Sequence, residues 1–289
     1  MKIVEFTLEQ GNKYFGKIDG TRFFIGNRVP FDGGKGLMNI KGTSAQRYNR
    51  EEFRGTHGFW ADFIHPTAMA EGALYHTLNT YDRARFTFTF LQYAAHVPNG
   101  DFVVYFRALL KLPLAAEYFP DVKLINNRIT RVTDLGTIAL ESDTSTAGLM
   151  KFLNPSRRQV EDTEVVQAAK FVHWAQNDPF HRQAQIDTGI KHFKEKMVNY
   201  ARTYDLDGSL DPICLVIADI RHQGRAKNPV IVHALRSSRP LESLLAIGEQ
   251  RFPERISTLR REIRKLTEEG TLGTHVYNLE QRDFIAKQN

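Results

Sequence analysis

A change in hydrophobic period between residues 60 and 90 constrains the fold of this chain more than any other feature. Apolar residues recur at helical spacing over 60–68, and Gly72 is suited to end that helix in a left-handed conformation. Phe86, Phe88 and Phe90 then alternate with other residues, which is the period-two pattern of a strand. The sequence therefore predicts a helix that is followed closely by a short strand.

Two candidate catalytic carboxylates lie in this region. Glu71 lies at the predicted helix end, where the macrodipole is negative and the neighbouring residues are apolar, so its carboxyl would readily hold a proton. Asp82 follows on the strand side, before Thr87. Two carboxylates on such elements are a layout for glycoside hydrolysis. The residues alone leave open the alternative that both are ordinary solvated charges.

A family resemblance adds to this interpretation. Glu71, the segment Asp82-x-Arg-x-x-Thr87, a following Gln-containing segment and a long amphipathic helix resemble the chitosanases of glycoside hydrolase family 46, within the lysozyme-like superfamily. Segments 177–185 and 213–224 resemble helical parts of the same family. The resemblance implies that Glu71 is the general acid, that Asp82 is the base and that Thr87 positions the attacking water, so that hydrolysis inverts the anomeric carbon.

The resemblance also implies the fold class. We expect a mainly α (α+β) protein, with a lysozyme-like two-lobed helical domain, a small β-hairpin at the active site and a short N-terminal β meander. The predicted organisation is a β appendage over 1–45, a catalytic domain over 46–272 and an irregular C-terminal tail over 273–289. Residues 30–36 are rich in turn formers and predict a loop or linker.

Further residues are candidates for substrate binding. Asn79 and Tyr81 could hydrogen-bond sugar hydroxyls, and an arginine beside Asp82 could bind a substrate carboxylate or form a structural ion pair. The ring of Trp60 could stack on a sugar, with a core position as the alternative. The complete predicted set is Asn79, Tyr81, Arg83, Arg85, Gln92, His57 and Trp60.

Charge and cysteine content restrict the classes of substrate and partner that we expect. The formal net charge of +6 favours an anionic polymer such as peptidoglycan over the polycation chitosan. The single cysteine, Cys214, lies in an apolar run and is predicted to be buried without a disulfide.

Asp219, in the same predicted helix, needs a partner and is either structural or a third catalytic carboxylate. The basic face of helix 253–267 is interpreted as solvated, and no nucleic-acid signature, cofactor motif or metal-ligand spacing is present.

The sequence shows no apolar run long enough to insert into a membrane and no signal-peptide core. We therefore expect a cytoplasmic product that reaches the cell wall, in the periplasm or outside the cell, by a non-classical route. A delivery or immunity protein could be a partner. The predicted function is a bacteriolytic, muramidase-type glycoside hydrolase that cleaves β-1,4 linkages of an amino-sugar polymer. A chitosanase and a non-catalytic cell-wall-binding protein are the alternatives.

Overall fold

The structure is a computed structural model that describes residues 1–40 and 46–288. The chain divides into two compact units, and each unit is built from two separated segments. Unit 1 consists of Met1–Arg47 and Leu74–Gly189, and unit 2 consists of Tyr48–Ala73 and Ile190–Asn289. Residues 1–40 of the predicted 1–45 segment thus lie within unit 1, and its residues 41–45 fall outside the described residues. The segment 46–272 contributes to both units.

Unit 1 contains an antiparallel sheet of seven strands that follow one another in sequence order. The strands are β1 (Glu5–Glu9), β2 (Lys13–Ile18), β3 (Thr21–Phe31), β4 (Gly34–Asn39), β5 (Leu78–Asn79), β6 (Thr87–Phe88) and β7 (Tyr93–Ala94). Tight turns join the first four strands, and Gly20 and Gly33 adopt the positive φ angles of 79° and 73° that such turns favour. The N-terminal runs predicted as strands are therefore confirmed, and the sheet extends beyond them.

The prediction of a loop or linker over residues 30–36 is wrong. Phe31 pairs with Gly34 across a tight turn, so β3 and β4 form a hairpin there. Two glycines of this hairpin lie where no side chain would fit. A Cβ atom on Gly34 would lie 1.9 Å from the carbonyl oxygen of Arg157, and one on Gly36 would lie 2.7 Å from the Cα of Tyr81. The glycines let β4 approach neighbouring backbone closely.

The rest of unit 1 is helical with a second, three-stranded sheet. Its elements are α3 (Asp101–Leu109), α4 (Ala115–Tyr118), β8 (Val122–Ile125), β9 (Arg128–Thr133), β10 (Gly136–Ala139), α5 (Ala147–Leu153) and α6 (Asp162–Asn177). The ring of Phe171 in α6 lies 5.2 Å from that of Phe86 and 5.3 Å from that of Phe88. All three side chains are fully buried, so the alternating phenylalanines form part of the core of unit 1.

Unit 2 is mainly helical. It contains a 3-10 turn (Arg50–Glu52), α1 (Arg54–His57), α2 (Phe59–Ala70), α8 (Asp211–Gln223), α9 (Asn228–Leu235), α10 (Pro240–Leu245), α11 (Pro253–Glu268), β11 (His275–Asn278) and β12 (Asp283–Ala286). A further helix, α7 (Pro179–Tyr204), runs continuously through the division at Gly189 and contributes to both units. Cys214 in α8 is fully buried, as predicted.

The C-terminal residues are not an irregular tail. Strands β11 and β12 pair antiparallel as a hairpin, and Phe284 of β12 packs on Phe63 of α2 with ring centroids 4.9 Å apart. Tyr277 of β11 and Phe284 of β12 are both buried, with ring centroids 5.2 Å apart, and they supply the packing that an irregular segment would lack.

The predicted fold class is also wrong. The described residues are 44% helix and 21% strand and include a seven-stranded antiparallel sheet, which is more strand than a lysozyme-like helical domain with a short meander would have. The added strands arise because β4 continues the meander and pairs with β5, through Met38↔Asn79 and Asn39↔Leu78. No helix within residues 1–40 and 46–288 has the length and apolarity to span a membrane.

Candidate functional site

Glu71 lies at the carboxyl end of α2, as predicted. Its backbone N–H donates to the carbonyl of Thr67 at 3.0 Å, and Gly72 follows with the left-handed φ of 84°. The side chain of Glu71 is 17% exposed, and its carboxylate accepts a hydrogen bond from Nη1 of Arg255 in α11. The helix end therefore presents a carboxylate that is paired and still reaches solvent.

A buried ionic network lies behind this carboxylate within unit 2. Nη2 of Arg255 donates to Oδ1 of Asp219 at 2.6 Å, and Nη1 of Arg225 donates to Oδ2 of the same aspartate. Burial alone would raise the pKa of Asp219, but the two guanidinium groups outweigh it and hold the pKa below its ordinary value. The prediction that Asp219 needs a partner is confirmed, and the structure supplies two.

The four side chains differ sharply in exposure. Those of Asp219, Arg225 and Arg255 are 0%, 1% and 8% exposed, whereas that of Glu71 is 17% exposed. With both acids ionised, the two negative and two positive charges balance. Glu71 is therefore the end of the network that a ligand in solvent can reach most directly.

The interpretation of the α11 arginines as one solvated face is wrong for Arg255. This residue lies one position before the buried Ile256, and Arg255 itself is only 9% exposed. Its partners Glu71 and Asp219 are 184 and 36 residues away in sequence. Helical periodicity assigns a residue to a face and does not reveal such distant partners, so the sequence analysis missed both Arg255 and Arg225.

Asp82 lies in a turn of unit 1 that fixes its carboxylate. Nδ2 of Asn79 donates to Oδ2 of Asp82 at 3.1 Å, and the backbone N–H of Ala84 donates to Oδ1 at 2.8 Å. Oδ1 of Asn79 accepts from the N–H of Tyr81 at 3.1 Å, which closes the same turn. Asp82 is half-buried, so its orientation is set locally while part of the carboxylate stays accessible.

Thr87 belongs to the same small hairpin. It pairs with Asn79 across β5 and β6, and Asn79 in turn holds Asp82. Thr87 is 6% exposed, so its hydroxyl lies in a sheltered position. The structure thus brings together Asn79, Asp82 and Thr87, which the sequence analysis placed in one site, and it does so within a single unit.

The remaining predicted residues are placed differently. Arg85 has a φ of 57° and its Nη1 donates to the backbone carbonyls of Asn154 and Pro155 at 3.2 and 3.1 Å, which is a structural role. Arg83 and Gln92 are exposed, and His57 is half-buried at the end of α1.

Trp60 is a core residue and not a sugar platform. Its side chain is 2% exposed, its Nε1–H donates to Asp283 at 2.6 Å and its ring lies 5.0 Å from that of Phe63. A stacked pyranose would need a ring face that is open to solvent, and the packing of Trp60 leaves none. The prediction that it binds sugar is therefore wrong in this structure.

A buried acid that the sequence analysis did not single out is Glu164 of α6. It is fully buried, and the hydroxyl of Thr80 hydrogen-bonds to its carboxyl. Burial raises the pKa of Glu164 to about 8. In the sequence, Glu164 is marked only by its place beside the apolar Val165 in an amphipathic helix. This signal is weak, because many helices carry acids in their first turn.

Within the part of the chain that the structure describes, no three histidine, cysteine or acidic side chains converge as ligands for a metal ion. No protein-family model, curated protein or solved structure matches the chain. The resemblance to family 46 chitosanases therefore stays a prediction from the residues that carry it.

Proposed function

We propose that this protein is a glycoside hydrolase that cleaves β-1,4 linkages of an amino-sugar polymer. The observation that carries the proposal is the ionic network of unit 2, in which buried Arg255 joins Asp219 to the accessible Glu71. Buried ion pairs add little net stability, because desolvation offsets their attraction. A network of this kind that ends on a solvent-accessible carboxylate is better explained by chemistry at that carboxylate.

Glu71 is the proposed general acid. Arg255 contacts Glu71 through Nη1 and Asp219 through Nη2, so one guanidinium group positions the Glu71 carboxyl and is itself held by Asp219. In the proposed step Glu71 gives a proton to the glycosidic oxygen as the bond from this oxygen to the anomeric carbon breaks.

Asp82 is the proposed base, and the contacts that support this role all lie within unit 1. Its carboxylate takes one proton from a water molecule whose oxygen bonds to the anomeric carbon, and the hydroxyl of Thr87 helps to orient that water. Both carboxylate oxygens of Asp82 already accept one local hydrogen bond, which fixes the direction of the remaining lone pairs. Hydrolysis with a water activated in this way inverts the anomeric configuration.

Peptidoglycan is the proposed substrate, since the net charge of +6 attracts a polymer that carries carboxylates. The test is the release of reducing ends from purified sacculi, with soluble chitosan measured in parallel, for the natural chain and Glu71→Gln. Glu71-dependent cleavage of sacculi supports the proposal. Cleavage of chitosan alone would make the protein a chitosanase, and binding to sacculi without cleavage would make it a non-catalytic wall-binding protein.

A further inference from the structure

A surface cavity of about 220 Å³ lies in unit 1 beside the Asp82 turn. It is lined by the tip of the β3–β4 hairpin, with Phe31 and Asp32, by Tyr81 and by the pair Arg157 and Arg158. Tyr81 directly precedes Asp82, so the cavity adjoins the turn that holds the proposed base. The predicted site residues include only Tyr81 from this set.

The aromatic wall of the cavity is open to solvent. Phe31 is 48% exposed, and its ring centroid lies 5.0 Å from that of the half-buried Tyr81. Ligand pockets are commonly lined by aromatic side chains together with a few polar groups. Two adjacent rings provide an apolar surface on which the C–H face of a pyranose can pack, and the hydroxyl of Tyr81 adds a polar group.

The cavity also has a cationic wall, formed by Arg157 and Arg158. Arg157 and Arg158 are both exposed, and no described residue pairs with either guanidinium group; the contacts of these residues are through the carbonyl of Arg157 and the N–H of Arg158. Asp32 is the one acid in the lining, so the side chains carry a net charge of +1. A guanidinium group matches a carboxylate through two parallel hydrogen bonds, and these two remain available for one.

Backbone contacts hold the walls of the cavity in place. The N–H of Lys35 donates to the carbonyl of Arg157 at 3.0 Å, and the absence of a side chain on Gly34 permits this approach. Gly36 permits the equally close approach of β4 to the backbone of Tyr81. The aromatic and cationic walls are therefore both attached to one β-hairpin, which makes the cavity a built feature of unit 1.

We propose that this cavity is a binding subsite for an anionic sugar unit, a pyranose with a substituent that carries a carboxylate. Phe31 and Tyr81 contact the ring face, and Arg157 and Arg158 bind the carboxylate. The inference rests on the proposed function in one respect, since it assigns the bound sugar to the polymer that is cleaved. Through this subsite the protein would distinguish an acidic glycan from a neutral one.

The test compares the binding of two tetrasaccharides of equal length by calorimetry. One alternates N-acetylglucosamine with N-acetylmuramic acid, which carries a carboxylate, and the other is the neutral tetramer of N-acetylglucosamine. The double variant Arg157→Ser/Arg158→Ser should weaken binding of the acidic ligand by about tenfold or more, because charge-assisted hydrogen bonds are lost, and leave the neutral ligand unchanged. Phe31→Ser should weaken both.

The charge-matched control is Arg239→Ser/Arg264→Ser, which removes two exposed arginines from unit 2. Equal weakening in this control, or unchanged acidic binding in Arg157→Ser/Arg158→Ser, would overturn the subsite even if sacculi are cleaved. The subsite would also be overturned if the natural protein bound neither ligand or preferred the neutral one. If instead no hydrolysis is found but the acidic ligand binds in an Arg157- and Arg158-dependent way, the subsite stands and the proposed activity fails.

Discussion

Arg255 and Asp219 meet inside unit 2, with Nη2 of the arginine 2.6 Å from Oδ1 of the aspartate. The same guanidinium group donates through Nη1 to Glu71 at the end of α2, so one side chain of α11 connects α8 to α2. Because a guanidinium group can donate in several directions at once, an arginine suits this position and a lysine would not replace it. The pairing links the stability of unit 2 to the proposed chemistry.

Asp219→Asn should destabilise the protein. The change removes the negative charge that faces buried Arg225 and Arg255, and the loss of one partner in a buried ion pair costs about 3–5 kcal/mol. Urea unfolding followed by circular dichroism measures the effect. Asp205→Asn is the control, since Asp205 is exposed and its positive φ of 56° suits asparagine equally well. A loss no larger than that of the control would show that the buried arginines do not depend on Asp219 for charge compensation.

Glu71→Gln should leave the protein folded and lower the rate of hydrolysis by about 100- to 10,000-fold, because an amide cannot act as the general acid. The rate is measured as reducing ends released from sacculi, and the fold as the far-ultraviolet circular dichroism spectrum. Glu268→Gln, which changes an exposed glutamate of α11, should have the natural rate. Unchanged turnover in Glu71→Gln would end the proposed mechanism.

The roles of Asp82 and Thr87 predict the anomer that is released. Proton NMR of the first product from a β-linked glycan should show the α anomer, and Asp82→Asn should be severely impaired. Thr87→Val removes the hydroxyl at nearly constant shape and should lower kcat with little change in KM, whereas Thr87→Ser should retain most of the rate. A β product would show retention and exclude Asp82 as the base.

Glu164 should give the protein a distinctive dependence of stability on pH. Its folded-state pKa of about 8 lies above its ordinary value of 4.5, so the folded protein holds a proton that the unfolded chain releases between these values. The contribution is complete below pH 4.5 and is lost as pH rises through 8, at up to about 1.4 kcal/mol per pH unit. Glu164→Gln should abolish this fall in unfolding experiments between pH 5 and 8, and Glu268→Gln should preserve it. Parallel curves for Glu164→Gln and the natural chain would refute the assignment.

Binding to sacculi should weaken as salt concentration rises, because the positive charge of the protein is screened. The Debye length is about 8 Å at 0.15 M salt, so attraction between exposed charges farther apart than this is largely lost. Co-sedimentation with sacculi at several sodium chloride concentrations measures the effect. Binding that is constant across that range would mean that charge does not select the substrate.

The sequence predicted the long helices well and the short strands poorly. Segments 177–185 and 213–224, which are expected to be helical, fall largely within α7 and α8, and α2 ends where Gly72 indicated. These helices have many residues in a regular apolar pattern. The alternating Phe86, Phe88 and Phe90 did indicate a strand, and β6 forms there over Thr87–Phe88 alone. Strands β5 and β7 also have two residues each, and no period can be read from so few. They exist because β4 offers an edge, and that tertiary contact leaves no mark in the local sequence.

The candidate site shows the same limit. Glu71, Asp82 and Thr87 could be named because they fall at the ends of recognisable elements. Arg255 could not, since its partner Glu71 lies 184 residues away, and Trp60 could not be assigned to the core or to a site until the packing of its ring was seen. Sequence patterns indicate which residue types are available, and tertiary packing determines which of them meet.

The pairing of β4 with β5 bears on the order of events during folding. Strands β1 to β4 are joined by tight turns and can assemble locally, but Asn39 meets Leu78 only after the intervening chain, which includes α2, has closed into a loop. Closing a loop of this length costs conformational entropy before new contacts can offset that cost, and non-local pairing therefore slows folding. We therefore expect β1–β4 to form early and β5–β7 to join late, so that the hairpin of Asp82 and Thr87 is among the last parts of the sheet to form.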